Sequence, residues 1–138
     1  MKTKAIFFAG ILAFVFGCAS HLTYGKSSSN DIPFHKRKAP SSEIAIIIDP
    51  KGPSLDPKYY EVMGKAESEV SNVTALEAHC KDALEMLRFE TEKVGGDALI
   101  DVTCSSGTFD AKATGTIIAF KNRQEALKVL KDIKAVLK

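Results

Sequence analysis

The hydrophobic period of this chain changes across a pair of glycines, and that change limits the folds open to it. From Leu76 onward the apolar residues Cys80, Ala83, Leu87 and Val94 recur on one stripe at helical spacing. Thr74-Ala75-Leu76-Glu77 fits a capping box, in which hydroxyl and carboxylate satisfy the first free amides reciprocally. Gly95-Gly96 ends the helix where a residue at positive φ is wanted. After Asp97 the period falls to two, with Ala98, Ile100, Val102 and Cys104 on one face of a strand. A helix that turns straight back into a strand lays its stripe on the sheet, which predicts an α+β unit.

The flanking segments supply the rest of that sheet. Glu43 to Asp49 is rich in β-branched residues, stops at Pro50, and reads as a strand buried on both faces or lying in a crevice. Lys51 to Lys58, with Gly52, Pro53 and Pro57, is a turn-rich connection. Tyr59 to Val70 alternates as a long strand with Tyr60, Val62, Gly64 and Ala66 on one side. Gly64 in its middle predicts a bulge or a close approach of another backbone. Ser105 to Ala111 forms a hairpin loop around Gly107, and Lys112 to Phe120 is the returning strand. The order over residues 43–120 is β-β-α-β-β, one helix on one sheet.

A second helix runs from Asn122 or Arg123 to Lys138. Ala126, Leu130, Ile133 and Leu137 make its stripe, flanked by Leu127 and Val136. Residues 43–120 hold seven basic and fourteen acidic side chains, whereas residues 121–138 hold six and two. A basic amphipathic helix beside an acidic domain docks on that domain in the simplest reading. A protein partner or a membrane surface would suit it too. Over all 138 residues the formal charge is only +2, too small an excess to make nucleic acid the main partner.

The N-terminus reads as an address. Lys2 and Lys4 precede an apolar or small-residue run from Ala5 to Phe16. Twelve helical residues span about 18 Å, short of the ~30 Å hydrocarbon core, so the run fits a signal peptide better than a membrane span. Val15-Phe16-Gly17-Cys18 resembles a bacterial lipobox, although Phe16 is bulkier than usual there. That resemblance implies cleavage after Gly17 and a diacylglyceryl thioether on Cys18, with palmitate-type chains holding the protein to a membrane. Ala19 in place of Asp resembles lipoproteins sorted to the outer membrane, facing the periplasm. Residues 18–42 follow as the lipidated cysteine and a flexible tether, since Ser27-Ser28-Ser29, Pro33, Lys36-Arg37-Lys38 and Pro40 show no hydrophobic period. Such a tether reaches roughly 25–30 Å, and its basic triplet is either solvated or near anionic head groups.

Acylation of Cys18 would leave two thiols, Cys80 and Cys104. Counted from the Gly95-Gly96 turn, Cys80 lies about 22 Å up the helix and Cys104 about 26–30 Å along the strand. The levels agree to about one helical turn, so a disulfide is open to them, as an exported chain favours. Two other readings stay open: a pair of free core cysteines, or a metal site that adds His79 or His35. Against the metal, neighbouring His79 and Cys80 point about 100° apart on a helix, and zinc wants four converging ligands.

The runs Tyr59-Tyr60-Glu61-Val62-Met63-Gly64-Lys65-Ala66, Gly95-Gly96-Asp97-Ala98-Leu99-Ile100-Asp101-Val102 and Ala113-Thr114-Gly115-Thr116-Ile117-Ile118 resemble the YbjQ-like superfamily pattern. That group includes small bacterial envelope lipoproteins and the fold of the stress-sensor lipoprotein RcsF. The resemblance covers about residues 58–121 and implies a small α+β domain. It also implies a heavy-metal-binding alternative and ring-forming relatives. RcsF-like proteins carry two disulfides, and this chain has at most one. The shared positions are glycines and core residues, so no functional residue is carried over.

Enzyme signatures are missing from the sequence. It has no Gly-x-Ser-x-Gly, no His-Glu-x-x-His, no P-loop and no Cys-x-x-Cys. Glu67 and Glu69 share a strand face, and Glu85, Glu90 and Glu92 sit on the helix, where such groups are usually solvated. The reading is a non-enzymatic, lipid-anchored envelope module without cofactor that binds a protein partner or itself. A metal-binding or metal-responsive periplasmic lipoprotein is the alternative.

Overall fold

Gly95 has φ +77° and closes the helix as the sequence predicts. A Cβ there would meet the backbone oxygen of Ala39 at 2.5 Å, so both conformation and space call for glycine. The computed structural model describes residues 23–72, 79–133 and 136–137. Its strands are β1 (Thr23–Ser28), β2 (Ile46–Ile48), β3 (Tyr60–Asn72), β4 (Ala98–Ser106), β5 (Asp110–Phe120) and β6 (Val136–Leu137). The helices are α1 (Cys80–Lys93) and α2 (Arg123–Ile133), and Phe34–Lys36 and Pro57–Tyr59 form single 3-10 turns. One mixed sheet runs in the order β1-β3-β5-β4-β2-β6, with β2 parallel to β4 and the other neighbours antiparallel. The chain is a single small α+β domain.

Alternation along β5 builds two cores. Ala111, Ala113, Ile117 and Ala119 face α1, where Ala83, Leu87 and Val94 complete the first cluster with Leu99 and Val102. Ile118 and Phe120 point the other way, onto Ala126 and Leu130 of α2, with Ile48, Leu55 and Ala98. The sheet is therefore covered on both faces, three layers rather than one helix on one sheet. β2 serves both: Ile47 joins the α1 cluster and Ile48 the α2 cluster. This agrees with its expected burial on two faces.

Two bulges break the expected alternation. In β3 the register against β5 shifts between Val62 and Gly64, leaving Met63 buried and Val62 half exposed. The expected common face of Tyr60, Val62, Gly64 and Ala66 is thus corrected. One extra residue turns the strand over, and Ile32 packs where a Gly64 Cβ would stand, 2.6 Å from its Cγ1. In β4 the register shifts between Ile100 and Thr103, around Asp101 at φ +52°. Ala98 and Ile100 consequently belong to the α2 cluster while Val102 and Cys104 belong to the α1 cluster, not the single face expected.

The tether expected over residues 18–42 is corrected from Thr23 onward. β1 pairs along β3 from Thr23↔Asn72 to Ser28↔Glu67, and Ile32 is 1% exposed in the α1 core. Lys38 and Ser41 then donate backbone N–H bonds to the carbonyls of Val94 and Glu92 at the end of α1. An edge strand needs only backbone partners, so polar residues can pair without hydrophobic periodicity. The second helix is also shorter than expected, ending at Ile133. Val136 and Leu137 instead pair with Ile48 and Ile47, so Leu137 is not part of a helical stripe. Docking of α2 on its own domain agrees with the simplest reading of the tail. The signal peptide, Cys18 and the Thr74–Glu77 capping box lie outside the described residues. No helix among the described residues is long and apolar enough to cross a membrane.

Candidate functional site around Cys80 and Cys104

Cys80 is the first residue of α1, and Cys104 lies on β4 opposite Ala113. Their Sγ atoms stand 2.12 Å apart with Cα atoms at 5.9 Å, a disulfide-distance pair. The expected pairing of Cys80 with Cys104 is therefore placed together, at the levels the helix and strand rises give. His79 precedes the helix, exposed and without a side-chain capping bond. His35 sits on the turn three residues before Lys38, which bonds the opposite end of α1. Among the described residues no three His, Cys, Asp or Glu side chains are grouped to hold a metal ion.

Polar contacts fix α1 on the sheet around this pair. The buried Ser68 hydroxyl of β3 donates to the Ala83 carbonyl at 2.5 Å, and Arg88 Nε donates to the Ala45 carbonyl at 2.8 Å. Glu90 is buried rather than solvated, with Lys93 Nζ 2.5 Å from its carboxylate. On the other layer Asp97 accepts from the Phe120 amide at 2.8 Å and from Arg123 Nη1 at 2.7 Å, while Arg123 also pairs with Glu43. Asp97 thus joins the start of β4, the end of β5 and the first residue of α2. Sequence reasoning missed this clasp, although an acidic residue directly after Gly95-Gly96 and a basic one opening a helix were visible signals.

Two of the hollows on the described surface bear on binding. On one, Lys65, Glu67, Asp101, Thr114 and Thr116 line a hollow of about 360 Å³ with Asp31. Thr103 and Thr114 hydroxyls share a hydrogen bond at 2.8 Å next to it. Lys112 Nζ lies 2.5 Å from Glu67, and that carboxylate raises the lysine above its ordinary 10.5 by hydrogen bond and charge. The hollow offers hydrogen bonds and both signs of charge. On the outer face of α1, Pro40, Met86 and Phe89 line a more apolar groove, with Phe89 47% exposed. Glu90, Glu92 and Lys93 complete its lining.

Comparison with protein-family models, curated proteins and solved structures finds no match for this chain.

Proposed function

We propose that this chain is a lipid-anchored lipoprotein of the bacterial cell envelope, whose small α+β domain serves as a non-enzymatic interaction, structural or sensing module. The observation that carries the reading is the Cys80–Cys104 pair at disulfide distance. Disulfides persist in exported proteins and are rare in reducing compartments, so the pair agrees with a leader that ends at Cys18. With Cys18 acylated and the other two cross-linked, all three cysteines have a role. The resemblance to YbjQ-like and RcsF-like lipoproteins points the same way, and Ala19 favours the outer membrane, domain toward the periplasm. A protein partner, or a second copy of the chain, would find exposed Phe89 and its groove available.

The test is the mass of the mature N-terminus from bacterial envelopes, with labelled palmitate as a second readout. A chain starting at an acylated Cys18, and a Cys18→Ser variant lost from the membrane fraction, are the expected results. An intact leader, or a soluble mature form without lipid, overturns the reading.

A further inference from the structure

The short distance between Cys18 and the sheet decides which surface meets the bilayer. If Cys18 carries lipid, as proposed above, only five Cα steps separate it from Thr23, the first residue of β1. Five steps span at most about 18 Å fully extended. The domain therefore abuts the head groups instead of standing off on a long tether.

Strand register identifies the end of the molecule that is held there. Thr23 pairs with Asn72, Tyr24 with Ser71, and Ser71 with Asp110 across the next strand. The β4–β5 hairpin tip, Gly107 to Phe109, thus projects at the level of Thr23. It lies two strands away, about 10 Å. Phe109 on this tip is 59% exposed, and Gly107 and Thr108 beside it are exposed and uncharged. Asp110, whose carboxylate lies against Gly107, closes the tip, and the apolar ring of Phe109 beside it has its favourable partner at the boundary of head groups and acyl chains. Phe34, at 87% the most exposed large apolar residue among those described, lies elsewhere. It follows Ile32, which packs on Gly64, eight residues up β3 from Asn72 and so about 26 Å from the anchored end.

We infer that the domain docks end-on against the membrane that holds its lipid, with Phe109 of the β4–β5 hairpin seated among the head groups. The polar hollow and the Phe89 groove then face away from that end, or sideways, where a partner can reach them.

The chain contains no tryptophan, so each of two variants of the full, lipidated protein carries a single indole, which is excited at the red edge apart from the three tyrosines. Phe109→Trp and Phe34→Trp are reconstituted in phosphatidylethanolamine–phosphatidylglycerol vesicles, with and without bromine on the acyl chains. The indole of the Phe109→Trp variant is expected to shift to the blue and lose emission to the brominated lipid. Emission from the Phe34→Trp variant should stay as in water. Neither variant quenched, with acyl mass present on Cys18, overturns the end-on contact and leaves the lipoprotein reading standing. Stronger quenching in Phe34→Trp than in Phe109→Trp overturns it as well, by fixing a different face. Absence of acyl mass on Cys18 removes both together.

Discussion

Removing the Cys80–Cys104 bond is the perturbation with the best-defined size. The bond closes a loop of 24 residues. In the chain-entropy treatment a loop that long lowers the unfolded-state entropy by about 11.6 cal/mol/K, or about 3.4 kcal/mol at 25 °C. The unfolding entropy of a domain spanning residues 23–137 is roughly 240 cal/mol/K near 60 °C. The quotient is a drop in Tm of about 14 °C. Circular dichroism melts of the oxidised protein, the reduced protein and the Cys80→Ala/Cys104→Ala double variant measure it. The mechanism adds a second signature. If the bond acts by restraining the unfolded chain, its removal exposes more surface on unfolding, and the urea m-value rises with the loss of stability. The reasoning fails if full reduction, verified by mass, leaves Tm within a few degrees. It fails too if protein isolated without reductant carries free thiols at Cys80 and Cys104.

Three further outcomes follow from the packing and charges. Gly95→Ala forces a Cβ into the Ala39 carbonyl at positive φ and should cost about 1–3 kcal/mol in urea unfolding, with no compensating repacking of backbone. Asp97→Ala leaves the Phe120 amide and Arg123 without their shared acceptor. A loss of about 1–3 kcal/mol is expected, with amide exchange fastest in α2 if the clasp holds that layer. The Lys112–Glu67 pair stabilises the charged lysine, so its contribution is fully present below 10.5 and fades as pH rises through the higher folded value. A side-chain NMR titration should return Lys112 to its ordinary range in Glu67→Gln, and stability should show no Lys112-linked change between about pH 6 and 9.

The elements with dense apolar periodicity are legible in the sequence: α1 with its Gly95 stop, and the strands β2 to β5. Leu87 and Ile117 are fully buried because their neighbours repeat at the period of helix or strand. β1 was not legible, because Thr23–Ser28 joins the sheet through backbone bonds to an existing edge and carries no hydrophobic signature. Ile32 was equally hidden, a lone apolar residue among polar neighbours whose pocket exists only because Gly64 lacks a Cβ. The end of α2 differs from the sequence expectation for a related reason: Val136 and Leu137 fit a helical stripe, yet the open edge of β2 offers them a ladder. Of the candidate site, the cysteine levels could be worked out from rises per residue. The faces could not, since a bulge changes parity without leaving a mark in composition.

That parity shift makes the cross-link possible. With strict alternation from Ala98, Cys104 would share a face with Ala98 and Ile100, which pack toward α2, while Cys80 opens α1 on the other side. Asp101 and Val102 together oppose Gly115, and this one additional residue returns Val102 and Cys104 to the α1 face. The left-handed conformation of Asp101 is therefore a condition for the sulfurs to meet. Asp, like Asn, tolerates that region better than most non-glycine residues, and β-branched side chains tolerate it worst. Asp101→Gly should keep the bond and the melting temperature within a few degrees. Asp101→Val should cost about 1–2 kcal/mol and slow oxidative closure of the reduced protein, read as free thiols over time by alkylation and mass. Equal closure rates in the two variants would show that Cys104 reaches Cys80 without help from the bulge, and would detach the cross-link from the geometry of β4.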